Sequence, residues 1–326
     1  MALSDRYKDI SEPASILVIG GVVIDIYGQA DSTERADSTE RADSTERAGP
    51  PLADSYPGSV HIHAGGVARN IAENLGRLGL KVGFIGCFGQ DEYTDILTAS
   101  LQGANVDIRL SKRLATANDI YLGLFGADGQ MIQAVNQMRC VTEIDAAFLS
   151  NHLLAVHQAK TLVVDGNLGS DALHYISEHK GNALLAADMV SKTKATRFAG
   201  ILPAIDILKC TAAEAASLTG LPEDTPPDAL CAALQDKGVG TILLSLGAEG
   251  FMLANAAQDS VWIEPAPTQQ ILTSSGAGDG LLAGYIYGIE TGMDSRKAGY
   301  FARDVAALTL ACEGAVNPDI KKLLDN

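Results

Sequence analysis

Ser274-Ser275-Gly276-Ala277-Gly278-Asp279 runs directly into the apolar stretch Leu281-Leu282-Ala283-Gly284-Tyr285-Ile286. Small residues in a tight turn that opens a helix let the backbone N–H groups of Gly276, Ala277 and Gly278 crowd around an anion, which the helix dipole also favours. Asp279 stands at the mouth of the same turn. A carboxylate is a poor phosphate ligand because like charges repel. It makes better sense as a base that takes a proton from a hydroxyl attacking a phosphate. The combination points to phosphoryl transfer to an alcohol. The plain alternative is a glycine turn before a helix with Asp as an ordinary first-turn cap.

A second glycine-rich segment far upstream, His63-Ala64-Gly65-Gly66-Val67-Ala68-Arg69-Asn70-Ile71-Ala72, changes that balance. Together with Ser275-Gly276-Ala277-Gly278-Asp279 it resembles the two signatures of the ribokinase-like (PfkB) sugar and nucleoside kinases, in the same order and at the same long separation. Within that family the chain is most similar to the pseudouridine kinases. The segments that carry this are Ala53-Asp54-Ser55-Tyr56-Pro57-Gly58, Gly65 to Leu75, Val164-Asp165-Gly166-Asn167-Leu168 and Cys312-Glu313-Gly314-Ala315-Val316-Asn317-Pro318-Asp319.

The elements that must position these residues follow from patterning. Ile16-Leu17-Val18-Ile19-Gly20-Gly21 reads as a buried first strand ending in a glycine turn, with Asp25 just beyond it. Ser59 to His63 alternates as a strand does, and Asn70 to Leu78 has helical spacing with Gly79 as a stop. Ile120 to Phe125 and Met131 to Val135 read as a hairpin. Thr161 to Val164, Ala183 to Ala187, Ile205 to Leu208 and Thr241 to Ser245 are core strands separated by helical stretches. That alternation predicts a mostly parallel sheet with helices on both faces.

Composition excludes several functions. The chain has 326 residues, 24 basic against 40 acidic, and a net charge of −16. Such a surface repels nucleic acid polymers and anionic membranes. The apolar run Ile16 to Ile24 is too short to span a bilayer. Met1 to Ser11 is polar and unlike a secretory signal. Five scattered cysteines without Cys-x-x-Cys spacing read as free thiols in a reducing, cytoplasmic setting. Ala30 to Arg47 is Ala-Asp-Ser-Thr-Glu-Arg three times in tandem, with no large apolar residue to bury, and reads as a solvated loop insertion over 30–47. His61, His63 and His152 lie near apolar runs; His61 and His63 share one strand face, which would suit a metal pair or a substrate contact, but with no third ligand in view lid-surface residues are the reading.

The resemblance implies one doubly wound α/β domain over 1–326 with a small β lid built from about 54–64 and 118–138. It implies Asp279 as the base and Gly276, Ala277 and Gly278 as the anion hole. Asp25 would bind sugar hydroxyls, a carboxylate suiting a vicinal diol, with Gly65, Gly66 and Asn70 beside it. Asn136, at the end of the lid hairpin, would face a nucleoside base. Asn167 would be a substrate or phosphate-side contact, although a turn role fits it as well. Ser245-Leu246-Gly247-Ala248-Glu249-Gly250 resembles the nucleotide loop, which assigns Ser245, Gly247 and Gly250 to ATP. Glu214 would organise Mg2+ through water.

Two departures stand out. The family's Asn-x-x-Glu is Thr211-Ala212-Ala213-Glu214 here, and its Asp-Thr before the second signature is replaced in Thr273-Ser274-Ser275, which weakens a K+ site supported by Gly314 and Ala315. The expected activity is ATP-dependent phosphorylation of a nucleoside 5′-hydroxyl, with another sugar or nucleoside (ribose, adenosine) as the alternative acceptor. A catalytically weak nucleoside-binding sensor is the alternative of another class. A homodimer through the lid is the expected assembly.

Overall fold

The computed structural model describes residues 14–31, 57–127, 130–255, 258–267, 271–272 and 275–325. The Ala30–Arg47 repeat beyond Asp31, and Thr273 and Ser274 of the weakened cation stretch, lie outside the described residues. Fourteen strands follow one another within them: β1 (Ile16–Ile19), β2 (Val23–Ala30), β3 (Gly58–Gly65), β4 (Val82–Ile85), β5 (Cys87–Phe88), β6 (Lys112–Arg113), β7 (Asp119–Phe125), β8 (Met131–Gln137), β9 (Thr161–Asp165), β10 (Leu184–Asp188), β11 (Ile207–Thr211), β12 (Thr241–Ser245), β13 (Phe251–Asn255) and β14 (Gln258–Ile263).

Eight of them form the main sheet in the order β14-β13-β12-β11-β10-β9-β1-β4. Pairing is parallel from β12 to β4, and β13 and β14 add an antiparallel edge. The central strands are apolar on both faces because helices cover both. Ile16 and Val18 enter one core with Val163 and Leu243, while Leu17 and Ile19 enter the other with Leu162 and Leu244. Period-two alternation therefore divides each strand between two cores rather than between core and solvent.

A separate four-stranded sheet, β3-β2-β7-β8, makes the lid. Its register puts Asp25 opposite His63 on one side and Tyr121 on the other, with Asn136 opposite Tyr121. The next row is apolar: Ile62, Ile26, Leu122 and Val135. Alternation thus gives the lid a polar face and an apolar face. Asp25, expected as a residue beyond the first strand, lies within lid strand β2. The sequence hides this strand because Gly28 and Gln29 interrupt its pattern.

Of the helices, four matter to the site: α1 (Val67–Arg77), α2 (Ala212–Thr219), α3 (Ala277–Glu290) and α4 (Ser295–Leu310). α1 buries every residue from Ala68 to Gly76, charged ones included. It packs against α3, which packs in turn against α4. His152 is no lid residue. It is buried in the main domain beside Phe148, their ring centroids 4.7 Å apart. Among the described residues no helix is long and apolar enough to cross a membrane. All five cysteines are free thiols, four of them buried.

Candidate active site

The carboxyl ends of β9, β10 and β11, the turn before α3, the start of α1 and the polar face of the lid enclose a cavity of about 940 Å³. Asp25, Asn70, Asn136, Asn167, Gly66, Gly276, Gly278 and Asp279 all line it, so the structure brings most of the sequence-derived candidates to one space. Ligands gather at the carboxyl ends of parallel strands because the sheet order leaves a crevice there.

The anion turn is built as its residues require. Gly276 caps α3 at φ +80°, and a Cβ there would stand 2.1 Å from the Ala315 carbonyl oxygen, so no other residue fits. Ala277, Gly278 and Asp279 occupy the first turn of α3, where backbone N–H groups have no intrahelical acceptor. Asp279 is 6 % exposed, and its Oδ2 accepts a hydrogen bond from Asn70 Nδ2 at 2.6 Å. Burial, and then the Asp188 carboxylate, push its pKa up to about 7 against the opposing pull of Lys209, Asn70 and Arg69. A carboxylate tuned to that range can take up a proton near neutral pH.

Asn70 differs from its expected role. Its Oδ1 accepts from Arg69 Nη2 while its Nδ2 donates to Asp279. Arg69 only donates, so it fixes which end of the amide meets the carboxylate. Arg69 is itself buried. It pairs with Glu73 and holds the Ala64 and Gly65 carbonyls at the root of lid strand β3. Asn70 therefore orients Asp279 and is tied to the lid hinge, with both ends of its amide engaged.

Asn167 is similarly committed. It donates to Asp165 Oδ2 at 2.8 Å and accepts from Lys194 Nζ at 2.5 Å. Asp165 is fully buried and also accepts from the backbones of Gly21, Ala68 and Asn167. It cross-ties three segments that floor the cavity. Lys194 is the group of this cluster that adds charge to the cavity wall.

Asp188 and Lys209 were not singled out in the sequence. They end or interrupt apolar strands β10 and β11 and pair at 2.9 Å, both nearly buried. Burial alone would lower the Lys209 pKa, but Asp188, Glu214 and Asp279 outweigh it and raise the value, so Lys209 stays an ammonium ion. Asp188 Oδ1 also holds the amide of Val190 at 2.7 Å. Val190 lines the cavity at φ +66°, a left-handed conformation that costs a β-branched residue about 1–3 kcal/mol. A lone charged residue closing an otherwise apolar strand was the available signal.

On the lid face, Asp25 is 8 % exposed and burial raises its pKa to about 6, partly offset by a hydrogen bond from Tyr27 and the charge of Arg69. His61 and His63 face the cavity with parallel rings 6.1 Å apart. Burial and then His61 lower the His63 pKa.

Other candidates lie apart. Ser245 ends β12 and Gly247 and Gly250 follow it, all outside the cavity lining, and Ser245 Oγ donates to the Cys210 carbonyl. Glu214 is buried in a capping box at the start of α2, its carboxylate accepting from Thr211 N while Thr211 Oγ1 accepts from Glu214 N. Thr211 in place of Asn thus serves as a helix cap. No cluster of three or more acidic, histidine or cysteine side chains suited to a metal exists among the described residues. Magnesium that arrives on nucleotide phosphates needs no such cage.

A doubly wound sheet, a β lid and a buried acid behind an anion turn define a ribokinase-like kinase fold. The match to pfkB family carbohydrate kinases extends over residues 14–322, and the chain belongs to that family. It is a phosphotransferase with an alcohol acceptor. It is 31% identical over 308 residues to the pseudouridine kinase of Escherichia coli strain K12, covering 94% of this chain and 93% of that one. A carbohydrate kinase from Agrobacterium tumefaciens is 27% identical, with a TM-score of 0.76 and 95% of each chain covered. The Arabidopsis thaliana ribokinase complexed with ribose and ATP shares the fold at a TM-score of 0.80 and 19% identity, covering 96% of this chain and 99% of that one.

Proposed function

We propose that the chain transfers the γ-phosphoryl group of MgATP to the 5′-hydroxyl of a ribosyl nucleoside, pseudouridine. The observation that carries this is the placing of two buried carboxylates of different roles on one cavity, Asp25 on the lid and Asp279 behind the anion turn. The similarity to a pseudouridine kinase supports the choice of acceptor.

In this reading Asp25 accepts hydrogen bonds from the sugar diol, with Gly65 and Gly66 letting the backbone approach and Asn136 facing the base. Asp279, oriented by Asn70, takes the proton of the 5′-hydroxyl as it attacks. The amides of the Gly276–Gly278 turn take up charge on the transferring phosphoryl group, and the Lys209 ammonium lies on the same wall. Ser245, Gly247 and Gly250 serve the nucleotide from outside the cavity. Glu214 orders magnesium water from the start of α2. A K+ ion beside Gly314 and Ala315 would show as a rate that depends on K+ but not on Li+. The lid excludes water, which otherwise competes for the phosphoryl group.

The apolar lid face exposes Val60, Ile62, Leu122, Leu124 and Val135, and we assign it to a homodimer contact, tested by sedimentation of a Leu122→Asp variant. The free thiols suit a cytoplasmic setting. A panel of ribose, adenosine, uridine and pseudouridine tests the acceptor. Pseudouridine is expected to give the highest kcat/KM, and uridine turned over equally well would refute that choice. Buried polar groups discriminate strongly when an analogue leaves them unpaired.

A further inference from the structure

Tyr27 has no place in the reading above, yet it stands at the junction of the lid and the anion turn. Its hydroxyl donates to Asp25 Oδ2 at 3.1 Å and lies 3.4 Å from Ser275 Oγ. A phenol has one proton. With that proton given to Asp25, the Ser275 contact needs Ser275 as donor, and the three groups form a one-way chain from the turn to the lid carboxylate.

The ring is held for this task. It meets Phe125 edge-on at 5.5 Å and Tyr121 at 6.4 Å. It lies over Gly123, where an added Cβ would stand 3.3 Å from the Tyr27 ring and 2.9 Å from Phe125. Among the described residues, no other side chain donates a hydrogen bond to Asp25. The groups facing that carboxylate are His63 across β3, Tyr121 across β7 and Arg69 from α1, with Ser275 of the turn reaching it only through Tyr27.

We propose that Tyr27 is a positioning residue whose hydroxyl accepts from Ser275 and so latches the lid onto the anion turn, while its donated hydrogen bond aims the Asp25 carboxylate at the acceptor's hydroxyls. Lid docking and formation of the acceptor site are then one event. Ser275 reports that the turn is in place, Tyr27 relays it, and Asp25 Oδ1 is left for the substrate. The inference rests on the reading of Asp25 as the acceptor's carboxylate.

The sign of the pH effect follows. Burial raises the Asp25 pKa to about 6, and the Tyr27 hydrogen bond opposes that rise. Without the hydroxyl the pKa climbs further, so the ionised form needed for binding is lost at a higher pH.

Tyr27→Phe, Asp25→Asn and the double variant test this, assayed with pseudouridine and MgATP from pH 5 to 8.5. Phenylalanine keeps the aromatic cluster, so folding is preserved. Tyr27→Phe is expected to raise the acceptor KM about tenfold, the size of one hydrogen bond to a charged group, with the MgATP KM unchanged. The acid limb of acceptor kcat/KM should move to higher pH. In the Asp25→Asn background the same change should add nothing. A Tyr27→Phe enzyme with wild-type acceptor KM and acid limb, beside a crippled Asp25→Asn, overturns the latch and leaves the kinase reading standing. Effects that add in full in the double variant also overturn it. If Asp25→Asn itself behaves as wild type, the reading of Asp25 fails and the latch with it.

Discussion

Replacing Asp279 by Asn separates chemistry from stability, because the structure sets a size for each. The side chain is buried, and its pKa stands near 7 against an ordinary 3.8. Holding the proton that much more tightly in the fold is worth a few kcal/mol, since each tenfold change in proton affinity counts for about 1.4 kcal/mol. The folded state holds the proton more tightly than the unfolded chain. The associated stability is therefore full below the unfolded value, is lost as pH rises from about 4 through 7, and is absent above that. Asparagine keeps the shape. Arg69 locks the Asn70 amide, so the new side chain turns its oxygen to Asn70 Nδ2 and its own NH2 to the cavity. Two outcomes are expected together. A coupled assay of ADP release should show kcat lower by about 10²–10⁴, the contribution of a general base, with nucleotide affinity kept or improved. Calorimetry at pH 8 should show a Tm several degrees above wild type, a difference that closes at pH 4–5. Near-normal turnover would move the base elsewhere, with Asp25 the next candidate. An equal Tm change at both pH values would mean that Asp279 is ionised and compensated, and the electrostatic reasoning would fall.

Lys209→Met leaves Asp188 buried without its partner and should cost about 3–5 kcal/mol, read by urea denaturation. Adding Asp188→Asn should recover much of it, and no recovery would show that the pair does not act as a unit. Glu214→Gln keeps an acceptor for the Thr211 amide, since glutamine also serves in a capping box, so the start of α2 should hold and Tm should change little. If Glu214 also orders magnesium, the Mg2+ concentration for half-maximal rate should rise, whereas an unchanged requirement confines it to the cap. Deleting two copies of the Ala-Asp-Ser-Thr-Glu-Arg repeat shortens the 31–57 connection between β2 and β3 from 27 residues to 15, with 12 removed. Loop closure changes by only about 0.6 kcal/mol, so Tm and kcat should hold, and a large loss of kcat would give the repeat a part in the site.

What could be read from sequence was what the chain states locally. The glycine turn before α3 is legible because a tight turn needs small residues next to one another, and Gly276 meets that need at φ +80°. The parallel strands are legible because burial on both faces demands runs such as Ile16-Leu17-Val18-Ile19. The lid was only half legible: β7 and β8 announce a hairpin, but β2 pairs with β3 across the long connection that holds the repeat. Asn70 was expected to face a hydroxyl, and in the fold its amide meets Arg69 and Asp279. Its partner Asp279 is 209 positions away, and no local pattern shows that its amide is already engaged at both ends.

Asp165 and Asp188 mark where sequence reading stops. Each closes an apolar parallel strand, and the two are register partners on neighbouring strands. From sequence alone they are equivalent signals. In the fold Asp165 meets four protein donors, from Gly21, Ala68 and twice from Asn167, and is used up in holding the cavity floor. Asp188 meets one backbone amide and Lys209, and both members of that pair face the cavity. The difference lies in what the loops beyond the strands bring back to each carboxylate. A charged residue closing a buried strand therefore locates the working end of such a sheet. The donors counted around it separate the carboxylate used up in building the floor from the one whose ion pair lines the cavity.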